Sequence, residues 1–299
     1  MTLEITHVTK QFQQHTAVND LSLTINENQI FGFLGANGAG KTTTFRMILN
    51  LLDPTSGTIK WNGKPIDYKQ SDRIGYLPEE RGLYPKLKVR EQLIYLGKLK
   101  GMSKKDAETE LIKWLERLKV PQNIDKRVEE LSKGNQQKIQ FISAIIHRPK
   151  LLILDEPFSG LDPVNVELLK EAVVELKENG TTIVFSSHRM EHVEQLCESL
   201  CMLKDGNRIL HGNISEIKRS FGKKNLRIET DFDLTFVNDL PGVVKTERYS
   251  GGILCQIENE EISQSILHAL IGKGFIRKFE IDEPSLNDIF IEKAGESYE

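Results

Sequence analysis

Gly35-Ala36-Asn37-Gly38-Ala39-Gly40-Lys41-Thr42 fits the pattern G-x-x-x-x-G-K-[ST] between an apolar run, Ile30 to Leu34, and a helix-like run, Thr43 to Leu52. A strand, a glycine-rich turn and a helix in that order read as a P-loop. The glycines let the backbone form a nest whose N–H groups face phosphate oxygens, and the following helix adds its positive end at the same point. Lys41 is expected to reach the β and γ phosphates, and Thr42 to ligate Mg²⁺.

The 299 residues suffice for one large or two medium domains and a real core. With 28% charged residues, 38% apolar ones and a formal charge of −3, nothing draws the chain in bulk to nucleic acid, which is not an expected partner. Met1 to Lys10 alternates apolar and polar residues without a hydrophobic signal region, and nowhere do about 18 apolar residues run together. A cytoplasmic chain that does not itself span a membrane is expected. The three cysteines, Cys197, Cys201 and Cys255, argue against a disulfide framework. Cys197 and Cys201 are read as sharing one face of a helix, in the core.

Leu3 to Val8 and Leu21 to Ile25 alternate with the period of a strand. Phe12 falls in the turn between them, as a core plug or as a platform for a flat base. Asp53-Pro54-Thr55-Ser56-Gly57 breaks the helix after the glycine loop, and Thr58 to Trp61 followed by Asn62-Gly63 reads as a hairpin. Ile74 to Leu77 is a short strand that ends in the polar loop Pro78-Glu79-Glu80-Arg81-Gly82. From about residue 84 to 147 leucines and Trp114 recur at helical spacing, an inserted helical subdomain. Its lysines Lys98, Lys100, Lys104 and Lys105 read as a solvated face.

Ser132 in Leu131-Ser132-Lys133-Gly134-Asn135-Gln136 is an N-cap for the helix that holds Ile139 to Ile146. Leu151-Leu152-Ile153-Leu154 is a strand buried on both faces, and it ends in Asp155-Glu156. Carboxylates there stand where α/β sheets bind ligands. Asp162 caps a further helix with Pro163 in its first turn, and the strand Thr181 to Phe185 runs into Ser186-Ser187-His188. Leu200 to Leu203 and Arg208 to Leu210 form a closing hairpin. A linker over 214–223 leads to a second domain over 224–299, whose strand, helix, strand, strand, helix, strand order predicts a ferredoxin-like α+β sandwich with one helix added.

The glycine loop, Leu131 to Gln136, Asp155-Glu156, Ser159 to Asp162 and His188 together resemble an ABC-type ATPase, the ATP-binding subunit of ABC transporters, over residues 2 to about 212. Ile74-Gly75-Tyr76-Leu77-Pro78-Glu79-Glu80-Arg81-Gly82-Leu83-Tyr84-Pro85 and the tail Glu283-Pro284-Ser285-Leu286-Asn287-Asp288-Ile289-Phe290 look like the sodium-export and drug-resistance exporter type. The resemblance implies a P-loop NTPase core over 1–213, α/β with an antiparallel β subdomain and a helical subdomain. It implies ATP and Mg²⁺ as cofactors, with Phe12 stacking on adenine and Gly35, Ala36, Asn37, Gly38, Ala39, Gly40, Lys41, Thr42 and Thr43 contacting the nucleotide. It implies that Thr42, Asp155 and Glu79 belong to the metal, that Glu156 is the general base and that His188 orients the attacking water.

In this family Ser132, Gly134, Asn135, Gln136 and Asp162 address the nucleotide held by a second cassette. The implied unit is a head-to-tail dimer with a second copy or a paralogous cassette. Its further partner is a multi-spanning permease subunit, through which the dimer sits on the inner face of the cell membrane. Three residues depart from the pattern: Glu79 stands where the wider family carries Gln, and Lys133 and Asn135 interrupt Leu-Ser-Gly-Gly-Gln. The competing reading is a soluble ABC ATPase acting in translation or DNA maintenance.

Overall fold

The computed structural model describes residues 2–80 and 82–294, the side chains of residues 68, 69 and 294 excepted; Arg81 lies outside them. The chain divides into two compact units, 1–212 and 213–299.

The first unit starts with β1 (Leu3–Phe12), β2 (His15–Ile25) and β3 (Ile30–Leu34), then α1 (Lys41–Ile48). β1 and β2 extend well beyond the alternating runs Leu3 to Val8 and Leu21 to Ile25 because they pair with each other down to Phe12 and His15. The glycine-turn hairpin forms as β4 (Ser56–Trp61) and β5 (Lys64–Pro65). These strands build a four-stranded antiparallel sheet in the order β2-β1-β4-β5.

After β6 (Ile74–Leu77) the helical insert comprises α2 (Val89–Leu99), α3 (Lys104–Arg117) and α4 (Lys133–Ile145). Ser103 caps α3 and Ser132 caps α4, each hydroxyl accepting from the backbone N–H three residues on. The lysine group is not one solvated face: Lys100 is half-buried and donates to the Ser71 carbonyl at 2.6 Å, and burial pushes its pKa down.

β7 (Leu151–Asp155), α5 (Pro163–Glu178), β8 (Thr182–Ser187), α6 (Met190–Leu196), β9 (Ser199–Lys204) and β10 (Asn207–Asn213) complete this unit. The second sheet runs β10-β9-β3-β8-β7-β6, and β9, β3, β8, β7 and β6 are mutually parallel. Every residue of β3, β7 and β8 is buried, as expected of strands covered on both faces. One apolar cluster joins Leu3, Ile5 and Leu21 of the antiparallel sheet to Phe31, Phe33 and Phe45 around α1. Phe33 meets Phe45 edge to face at 5.4 Å, a contact worth about 0.5–1.5 kcal/mol beyond burial.

The pairing of Cys197 with Cys201 on one helix is not observed. α6 stops at Leu196, Cys197 caps it, and Cys201 lies in β9, because Ser199 onward pairs with β3. Both thiols are free, and burial pushes Cys201 up to about 12.

The second unit holds α7 (Ile214–Ser220), within the stretch read as linker, then β11 (Lys224–Thr230), β12 (Val243–Tyr249), β13 (Gly252–Ile257), α8 (Glu261–Leu270), β14 (Ile276–Asp282) and α9 (Leu286–Ala294). Its sheet order, β12-β13-β11-β14 with antiparallel neighbours, is ferredoxin-like. The helix expected over Leu234 to Leu240 is only a 3-10 turn, Thr235–Asp239, closed by Pro241 and Gly242.

Candidate functional site

Four loops meet at one edge of the parallel sheet because β3, β6, β7 and β8 run in the same direction and end side by side. They carry the glycine loop, Pro78-Glu79, Asp155-Glu156 and Ser186-Ser187-His188. A cleft of about 470 Å³ opens there, lined by residues 36–43, Phe12, His15, Ala17, Glu79, Asp155 and Glu156.

The loop's shape depends on glycine. Gly40 has φ 104°, and a Cβ on it would lie 2.4 Å from the Ala17 carbonyl oxygen; at Gly35 a Cβ would lie 2.5 Å from that of Leu203. Lys41 folds back over the loop, donating to the carbonyls of Gly35 at 2.6 Å and Ala36 at 3.1 Å. Burial pushes the Lys41 ammonium below its usual range, while Glu156, Asp155 and Glu79 pull the other way.

Thr42 donates its hydroxyl to Asp155 Oδ2 at 2.8 Å, and Ser186 donates to Oδ1 at 2.5 Å. The same Ser186 hydroxyl accepts from the Glu156 backbone N–H at 3.0 Å. One side chain thus ties β8 to both carboxylate residues. Glu156 has φ 49°, a left-handed conformation that costs a non-glycine residue about 1–3 kcal/mol and that clusters at functional sites.

His188 Nδ1 lies 3.0 Å from Glu156 Oε2, and Lys41 Nζ lies 4.0 Å from Oε1. Glu156 Oε1 is buried without a hydrogen-bond partner among the described residues. Burial raises the Glu156 pKa, and His188, then Lys41, draw it back. With one oxygen held by His188 and the other near the Lys41 ammonium but without a hydrogen bond among the described residues, the carboxylate can accept a proton from a third party in the cleft.

The sequence-derived nucleotide residues converge with two qualifications. Gly35 contributes its carbonyl rather than cleft surface, and His188 reaches the site through Glu156. Phe12 is 44% exposed at the end of β1 with Lys10 Nζ 5.1 Å from its ring, so it is not a core plug. Glu79 is exposed and lines the cleft.

Ser132, Gly134, Asn135, Gln136 and Asp162 do not line it. Ser132 and Asp162 are exposed helix caps, and Gly134 lies against Leu161 and Asn165 of the α5 entry. Gln136 turns inward, donating to the carbonyls of Val128 and Leu131 at 3.0 Å each.

The residues fit a magnesium nucleotide. A threonine hydroxyl and an adjacent carboxylate are hard oxygen donors, the backbone nest is a phosphate cradle, and Mg²⁺ typically takes few protein ligands beside phosphates. Among the described residues no group of three His, Cys, Asp or Glu side chains could hold a metal unaided. Sequence reading missed Ser186, whose only signal was a polar residue ending a buried strand, and His15, which pairs across from Phe12.

A family model described as ABC transporter matches residues 18–159, and one described as ATP-binding protein DrrA1-3-like, C-terminal domain matches 212–294. The chain is 63% identical over 297 residues to the uncharacterized ABC transporter ATP-binding protein YhaQ of Bacillus subtilis (strain 168), covering 99% of this chain and 100% of that one. It is 32% identical to Nod factor export ATP-binding protein I of Burkholderia lata, over 98% of this chain and 97% of that one. A solved ATP binding subunit of an ABC transporter superposes with a TM-score of 0.69 at 30% identity, over 74% of this chain and 94% of that one. The chain belongs to the ABC transporter family as an ATP-binding subunit that hydrolyses ATP to power transport.

Proposed function

We propose that two copies of this chain, or one copy and a paralogous cassette, close head to tail around ATP and drive an exporter by acting on a multi-spanning permease at the inner face of the cell membrane. The observation that carries the reading is the separation of the site into two halves. Lys41, Thr42, Asp155 and Glu156 share one cleft, whereas exposed Ser132 and Asp162, with Gly134 between them and α5, lie outside it. A second copy would bring the latter group to the γ phosphate, so that ATP joins the two chains through charge-assisted hydrogen bonds that ADP does not complete.

Within the cleft the glycine loop and Lys41 hold the phosphates, Phe12 offers its exposed face to adenine, and Glu156 takes a proton from the attacking water that His188 helps to orient. Thr42 and Asp155 would hold Mg²⁺, which when bound neutralises phosphate charge. Positioning and charge stabilisation carry most of phosphoryl transfer.

Export is supported by the DrrA1-3-like match over 212–294 and by the name of the Nod factor export relative. Among the described residues no helix is long and apolar enough to cross a membrane. Docking is supported by a cleft of about 520 Å³ beside β6, lined by Leu49, Leu51, Ile66, Tyr76, Leu99 and His147. Leu51 and Leu99 are 68% and 59% exposed, which an apolar partner helix would cover. The chain purified from its native membrane should bring a multi-spanning protein with it, and Leu51→Asp with Leu99→Asp should release that protein while ATP binding persists. Recovery of ribosomal RNA instead would support the soluble alternative.

A further inference from the structure

The inward face of α4 carries two glutamines three residues apart, Gln137 and Gln140, and residues at that spacing share a helix face. Gln137 Nε2 donates to the Pro157 carbonyl at 3.0 Å, one residue past Glu156. Gln140 Nε2 donates to the carbonyls of Pro78 at 3.3 Å and Glu80 at 2.9 Å, the two that flank Glu79. Gln140 is only 3% exposed. Two carbonyl acceptors fix the orientation of its amide, because only the nitrogen end donates. The other end, Oε1, is buried without a partner among the described residues. An apolar side chain of the same length would fill that space without stranding an acceptor, so the amide's use lies in its grip on the loop.

Glu79 sits between the two held carbonyls, and its side chain lines the cleft with Lys41, Thr42 and Asp155. We propose that Gln140 is a positioning residue for Glu79: by holding the peptide groups on either side, it aims the Glu79 carboxylate at the divalent cation that accompanies ATP. The grip also links two places that the sequence keeps apart. The helix that presents Ser132 and Gly134 at its start holds, two turns later, the loop that carries a metal-facing carboxylate of its own chain's site. A shift of α4 on meeting a second copy is thereby felt at Glu79. This inference rests on the reading of the cleft as a Mg²⁺–ATP site.

Gln140→Met keeps the length and the apolar stem and removes both donors; Gln140→Glu is isosteric and also lacks them. The test uses the full-length chain saturated with a non-hydrolysable ATP analogue, and reads Mn²⁺ affinity by electron paramagnetic resonance beside nucleotide affinity without metal. Each variant that folds should weaken Mn²⁺ binding about tenfold, the range of partners that orient metal ligands, with metal-free nucleotide affinity unchanged. In a Glu79→Ala background the same substitution should add less than about twofold, since residues acting through one another are not additive. Unchanged Mn²⁺ affinity, or an effect of equal size in the Glu79→Ala background, would overturn the proposal. Failure of the wild-type chain to bind nucleotide would instead overturn the reading of the cleft.

Discussion

His188 and Glu156 form an imidazole–carboxylate pair across the ends of β8 and β7, with Nδ1 3.0 Å from Oε2, while Glu156 Oε1 is buried without a hydrogen-bond partner among the described residues. Under the proposed function the two oxygens divide the work, one held by His188 and the other serving the attacking water.

Removing the imidazole takes away a group that lowers the Glu156 pKa, which burial already raises. In His188→Ala the carboxylate therefore needs a higher pH to ionise, and the acid limb of kcat against pH should move to higher pH. At the optimum kcat should fall about 10²-fold, the lower range of a positioned acid–base group. A pH–rate profile on the purified variant checks both, and an unshifted acid limb would contradict the pairing.

Ser186 bonds Asp155 and the Glu156 backbone with one hydroxyl. Ser186→Ala strands the buried Glu156 N–H and should cost about 1–3 kcal/mol of stability in urea unfolding. Because that bond also holds Glu156 at φ 49°, kcat should drop while ATP affinity changes little. Equal losses in both would assign Ser186 to nucleotide binding instead.

The glycine loop was legible in the sequence because it is local: strand, glycines, lysine and helix are contiguous. Asp155 and Glu156 were legible for a similar reason, as four apolar residues before them announce a buried strand. Ser186, Gln137 and Gln140 were not, since each acts across about 20 to 60 residues and depends on β8 lying beside β7, and β7 beside β6, an order no single run encodes. Cys197 and Cys201 misled for the opposite reason: a local helical spacing was overridden by pairing of β9 with β3. The second unit's ferredoxin-like topology followed from its order of strands and helices, but the 3-10 turn at Thr235–Asp239 depended on how soon Pro241 closes it.

His192 is buried edge-on against Phe158 at 5.0 Å, in the turn that follows Glu156. Burial, then Lys170 and Arg189, lower its pKa to about 4 from 6.5. The unfolded chain therefore binds a proton that the folded one refuses between those values, so stability falls as pH drops from about 7 towards 4. At pH 5 this group alone should cost roughly 2 kcal/mol relative to pH 7.5. His192→Phe removes the titration and keeps a ring, so its Tm should decline less steeply over that interval. An identical slope would contradict the assignment.

The central claim is that the cleft is half of a site and that ATP completes it by joining two chains. Glu156→Gln keeps the shape of the side chain and removes the base, so bound ATP should persist. Light scattering of this variant in saturating Mg²⁺–ATP should give twice the chain mass, reverting to a single chain with ADP or when Ser132→Arg is added. A Glu156→Gln protein that binds ATP yet keeps the mass of one chain, alone and with a paralogous cassette added, would contradict the account.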